Sequence, residues 1–201
     1  MKRTFILALV VALSATPLAT VEAKKAPKEL AFYLHFPSVD GACGAAFMDL
    51  QADTPDSGCG YTAQPANEVF HTTGAQAPLT RDWPAAEGFP FKVDVKRPVT
   101  AQLPLMSFLG TAAAGQAIVD LKLVGTAKGR STTLFEESLT LEMVPAVAGS
   151  NVAEFEVELP KNLNGKKFTS LIATTSVRGV NNFHYFKLDG EPLAHIVIPT
   201  K

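Results

Sequence analysis

The chain has 201 residues, with 18 lysine and arginine side chains against 19 aspartate and glutamate. A formal net charge of −1, without a run of like charge, removes the main driving force for binding a nucleic acid or docking on an anionic lipid surface. No stretch after the N-terminal segment reaches 18 apolar residues, so no membrane span is expected.

The chain opens "MKRTFILALVVALSATPLATVEA", residues 1–23. Lys2 and Arg3 form a basic n-region, Phe5 to Leu13 a short apolar run, and Val21 and Ala23 put small residues at −3 and −1. This is the pattern of a cleaved secretory signal peptide. It predicts an exported protein, periplasmic or extracellular. Residues 24–28 read as a flexible leader, and residues 29–201 are of single-domain length.

From residue 29 onward the hydrophobic period is two. "FYLHF" (32–36), "FKVDV" (91–95), "VDLKL" (119–123), "LTLEM" (139–143) and "FEVEL" (155–159) each alternate apolar with polar side chains. Each can bury only one face, which predicts strands of antiparallel sheets wetted on the other side. Asp120, Lys122, Thr140, Glu142, Glu156 and Glu158 are the outward residues. "KFTSLIATTSV" (167–177) and "AHIVIP" (194–199) add β-branched strands. "AKGR" (127–130), "LNGK" (163–166), "AVAGSN" (146–151) and "LDGEP" (188–192) supply turn residues between them. No helical period is sustained, apart from a turn or two expected in "GAAFMDLQA" (44–52). The predicted class is all-β: an antiparallel β-sandwich, jelly-roll-like, over residues 29–201.

Residues 37–88 break the alternation. They are rich in Gly, Pro, Asp and Thr, and read as one long loop region with a single short strand, "NEVFHT" (67–72). Long loops in compact domains are usually functional or ordered by a staple. Cys43 and Cys59, the only cysteines, lie here. Their spacing is far from Cys-x-x-Cys, and no histidine lies between them to complete a zinc site. In an oxidising compartment they read as one structural disulfide, which closes the loop and stabilises by about 3 kcal/mol. Asp49, Asp53 and Asp56 lie between the cysteines and offer oxygen ligands for calcium, the one cofactor considered. The same residues also suit a solvated turn.

Catalytic motifs are scarce. Gly-x-Ser-x-Gly and Ser-x-x-Lys are absent, and His35, His71, His184 and His195 belong to no metal-binding pair motif. His35 and His195 would approach only if the first and last strands were neighbours. Glu154, Glu156 and Glu158 form a stripe that suits a solvated sheet face better than a carboxylate pair across a cleft. Amphipathic rings are better represented. Tyr33, Tyr61, Trp83 and Tyr185 offer ring faces, and "VNNFHYF" (180–186) sets amides beside aromatics. Tyr33, His35, Trp83, Asn181, Asn182, His184 and Tyr185 are the candidate ligand residues, with a glycan as the fitting ligand. Burial in the core is the competing fate of such rings.

With "FYLHF" near the mature start, the repeated one-sided strands and "AHIVIP" as a closing strand, the layout resembles secreted jelly-roll or β-sandwich accessory domains. Carbohydrate-binding modules and the non-catalytic domains that follow secreted proteases are examples. The likeness is one of architecture over residues 29–201, and implies a non-enzymatic binding module. An envelope-structural or protein-interaction role is the alternative, and a hydrolase with a non-sequential site the third.

Overall fold

A computed structural model describes residues 28–35, 38–39, 42–43, 46–52, 79–107, 116–142, 151–179, 184–186 and 192–201. The signal segment, Cys59, Asp53, Asp56, His71, Asn181, Asn182 and the expected strand at 67–72 lie outside them. In chain order the strands are β1 (Glu29–His35), β2 (Ser38–Val39), β3 (Ala42–Cys43), β4 (Phe47–Asp49) and β5 (Leu79–Pro84). They continue as β6 (Phe91–Lys92), β7 (Val99–Ser107), β8 (Gln116–Ala127), β9 (Arg130–Glu142) and β10 (Asn151–Val157). The last four are β11 (Lys167–Phe168), β12 (Ser170–Gly179), β13 (His184–Phe186) and β14 (His195–Pro199). Among the described residues no helix is long and apolar enough to cross a membrane.

Two antiparallel sheets enclose one core. The larger runs β10-β7-β14-β1-β4, with β13 also on β7; the smaller runs β5-β12-β8-β9. The pairing is nested: β8 pairs β9, β7 pairs β10 outside them, and β5 pairs β12 outside those. This is one long hairpin rolled over on itself, the wrapping of a jelly roll. The next pair out, β4 and β14, is split by β1, which bonds to both.

Alternation explains the layers. Along β8, Ala117, Val119, Leu121 and Leu123 are fully buried, while Ile118, Asp120, Lys122 and Val124 face outward. Leu30, Phe32 and Leu34 of β1, Ile196 and Ile198 of β14, and Leu103 and Leu105 of β7 line the opposite wall of the same core. The β8–β9 turn follows its chemistry. Lys128 and Gly129 have φ of 51° and 73° between the paired residues Ala127 and Arg130. Two positive φ values in a two-residue loop make the turn whose twist matches the strands. Gly125 serves a different need. A Cβ there would lie 2.4 Å from Cδ1 of Phe168, so only glycine lets that ring lie on β8.

Several expectations are corrected. The turn of helix expected within 44–52 is instead strand β4, because Met48 is fully buried opposite Leu34 and pairing with β1 outweighs local spacing. The stretch 37–88 is not one loop, since it contains β2 to β5. "LTRDWP" hides its strand because its alternation is broken by a charged pair and ends in proline, yet it pairs with β12 over six residues. The "FKVDV" strand ends at Lys92. Val93 makes an isolated bridge to Thr200 and backbone bonds to Lys166 and Gly165, and the Asp94 carboxylate accepts the Lys96 N–H and turns the chain. "LTLE" (139–142) is the end of a strand that starts at Arg130, and "FEVEL" stops at Val157. β7 alternates as well, burying Val99, Ala101, Leu103 and Leu105, but Pro104 lies within it and obscures the strand in the sequence. That proline sits where β14 has ended, at Gln102, and β13 has not begun, at Leu105, so an absent N–H costs least.

Candidate functional site

Register brings polar side chains into rows on the outer faces. On the larger sheet, Asp49 faces Tyr33, Tyr33 faces His195, His195 faces Gln102 and Gln102 faces Glu154. The row thus crosses five strands. Residues directly opposite in an antiparallel pair share a face, which is how five separate segments present one line of polar groups. The Tyr33 and His195 rings lie 5.7 Å apart at 39°. His195 Nδ1 is 2.8 Å from the Leu193 carbonyl oxygen, which only accepts; Nδ1 therefore carries the proton and Nε2 is the acceptor of the neutral ring. Gln102 Nε2 donates to Glu154 at 3.3 Å. An aromatic face, an imidazole, an amide and a carboxylate stand side by side.

One end of this row is closed. His35, two residues along β1 from Tyr33, is 3 % exposed. Its Nε2 lies 2.9 Å from the Gln51 carbonyl oxygen and 3.2 Å from Asp49 Oδ1, and its ring contacts Phe47 at 5.4 Å. Asp49 Oδ1 also accepts the Gln51 N–H at 2.8 Å. Together they pin the chain as it leaves β4, a carboxylate-to-backbone bond two residues on being a local turn device. β1 and β14 are indeed neighbours, but it is Tyr33, not His35, that stands opposite His195.

The remaining expected residues divide as follows. Trp83 is 1 % exposed, and its indole N–H donates to Thr175 Oγ1 at 2.9 Å inside the core. It has no ring face for a ligand: the competition between binding and burial is decided by β5 pairing, which turns the residue inward. His184 and Tyr185 lie on β13 beside β7, opposite Ser107 and Met106. Cys43 lies on β3 opposite Ser38. Among the described residues no three metal-ligating side chains converge.

The smaller sheet carries a second polar surface that its individual strands announced only in part. Thr80, Ser176, Asp120 and Ser138 form one row, and Asp82, Thr174, Lys122 and Glu136 the next. All of these but Asp82 line a shallow depression of about 450 Å³. Here the groups satisfy one another. Ser138 and Ser176 donate to the two oxygens of Asp120 at 2.6 and 2.7 Å. Lys122 Nζ is 2.8 Å from Glu136, and Thr174 donates to Asp82 at 2.6 Å. Asp120 and Lys122 were legible as outward residues. Their partners depend on strand register, which a period-two pattern does not encode.

No family model matches the chain, and no curated protein matches it. Among solved structures it is similar to a chain in "Structure of infectious bursal disease virus Gt strain", at 13 % identity and a TM-score of 0.28. That match covers 65 % of this chain, which spans 30 % of the viral one.

Proposed function

We propose that this protein is an exported, non-enzymatic binding module that recognises a glycan through the row Tyr33–His195–Gln102–Glu154. The observation that carries the reading is the cross-strand row itself. It pairs a half-buried tyrosine ring with an imidazole, an amide and a carboxylate, all on one sheet face. A sugar stacks its C–H face on such a ring and exchanges hydrogen bonds with the neighbouring amide and acid. The rows on the smaller sheet are more tightly closed, with bonds of 2.6–2.8 Å among their hydroxyls and charges against the single 3.3 Å Gln102–Glu154 bond within this row. Export is supported by the N-terminal signal pattern. A binding role is supported by His35, the histidine paired with a carboxylate, being closed to solvent.

The test is a glycan array probed with the full exported protein, followed by titration calorimetry on any hit. Binding should weaken by about tenfold or more in Tyr33→Ala and Gln102→Ala while both variants keep a cooperative melt. Absence of any glycan hit for the wild-type chain, or hits that both variants retain in full, would sink the proposal.

A further inference from the structure

A third row has no internal answer to its charge. Lys92 of β6 and Lys167 of β11 are direct partners in an antiparallel pair. The Val93–Thr200 bridge extends that ribbon by one strand, and the Lys201 N–H bonds the Lys92 carbonyl oxygen at 3.0 Å. Lys201, Lys92 and Lys167 therefore stand in one line across three strands. Like charges directly opposite on neighbouring strands repel. Among the described residues no aspartate or glutamate lies within ion-pair distance of any of the three. Glu29, on β1, is taken by Arg97, and Asp94 is tied to the Lys96 N–H.

Beside the three ammonium groups is a cleft of about 360 Å³, whose wall includes Leu30, Pro90 and Phe91. Leu30 and Phe91 are almost fully buried and belong to the main core. Behind them the wall is stiffened by aromatic contacts: Phe91 lies 5.5 Å from Phe89, 6.0 Å from Phe168 and 6.3 Å from Phe32 between ring centroids. The volume falls within the range of small-molecule sites, roughly 300–1,000 Å³. An apolar wall beside a row of unneutralised cations is complementary to one chemical class, an anion with a hydrocarbon body.

We infer that the Lys92–Lys167–Lys201 cleft binds a small amphiphilic anion, a carboxylate or sulfonate carrying an alkyl chain or aromatic ring. The head group takes charge-assisted hydrogen bonds from the lysines, and the body lies on Leu30, Pro90 and Phe91. None of the residues of the Tyr33 row takes part, so this site stands or falls by itself.

The experiment is calorimetric titration of the full chain with octanoate, 1-octanol, octylamine and inorganic sulfate, at low and high sodium chloride. Octanoate should bind saturably, more tightly than octanol or sulfate, and less tightly as salt rises. Octylamine should not bind. Lys92→Gln/Lys167→Gln should weaken octanoate about tenfold or more, while its unliganded Tm holds or rises because the repulsion is gone. Lys92→Arg/Lys167→Arg should keep the binding. Equal binding of octanoate and octylamine, sulfate as tight as octanoate, full affinity in the glutamine variant, or no saturable octanoate binding would each overturn the inference.

Discussion

The polar rows of the smaller sheet and the lysine row handle charge in opposite ways. Around Asp120 the charges have partners within the surface: two serine hydroxyls on its oxygens, and Lys122 against Glu136. Along Lys201, Lys92 and Lys167 three ammonium groups stand in register with no aspartate or glutamate of the described residues to meet them. A surface that satisfies itself adds to the fold and gains little from a ligand. One that does not satisfy itself lowers stability until something binds. The same cross-strand geometry builds both, so the difference lies in residue choice at matching positions.

Three experiments sharpen this contrast, beginning with the largest effect. Trp83 lies on the face of the smaller sheet opposite the Asp120 rows. Trp83→Ala should cost about 3–5 kcal/mol by urea unfolding, since it empties a fully buried site and strands the Thr175 hydroxyl. A cost below that of a surface substitution would mean the sheet is held by its outer network instead. Next, Gly125→Ala forces the Phe168 ring away from β8, and with it β11 and Lys167. Overpacking of this kind should cost about 1–3 kcal/mol and also disturb the lysine cleft, leaving the Asp120 rows intact. Unchanged stability would show that the ring has room to shift. The smallest effect is the most direct comparison. Lys122→Glu places a second acid opposite Glu136 and should destabilise by about 0.2–1 kcal/mol, whereas Lys167→Glu creates an opposite-charge pair with Lys92 and should stabilise by a similar amount. Both being exposed, the two shifts should shrink together in high salt. Shifts of the same sign would abolish the distinction between the surfaces.

Much of the sandwich was legible because one-sided burial writes itself as a period of two. "VDLKL", "FYLH" (32–35) and "HIVIP" (195–199) are strands of the structure, and the Lys-Gly of "AKGR" is a turn with both residues at positive φ. β7 alternates at Val99, Ala101, Leu103 and Leu105 but was obscured by Pro104, and β5 was hidden by a charged pair in mid-strand. Their strand character comes from partners far along the chain, which local propensity does not see. The site residues show the same limit more sharply. Tyr33 was legible as an amphipathic ring, but Trp83, chosen on the same chemistry, is sealed in the core. Which fate applies depends on the face each strand presents, and hence on register. Gln102 joins Tyr33 only through two pairings and Glu154 through three, and Lys92 meets Lys167 and Lys201 only when β6, β11 and the C-terminal segment align.

The position of β14 governs when the larger sheet can exist. It lies between β7 and β1, so without it the sheet is two unconnected pieces, β10-β7 and β1-β4. Joining them requires closing the loop between the first strand and the last, the slow kind of contact in chain folding. A polypeptide emerging N-terminus first therefore holds β1 and β4 apart from β7 and β10 until His195–Pro199 has emerged. Truncation ahead of His195 would leave two half-sheets rather than a shorter sheet.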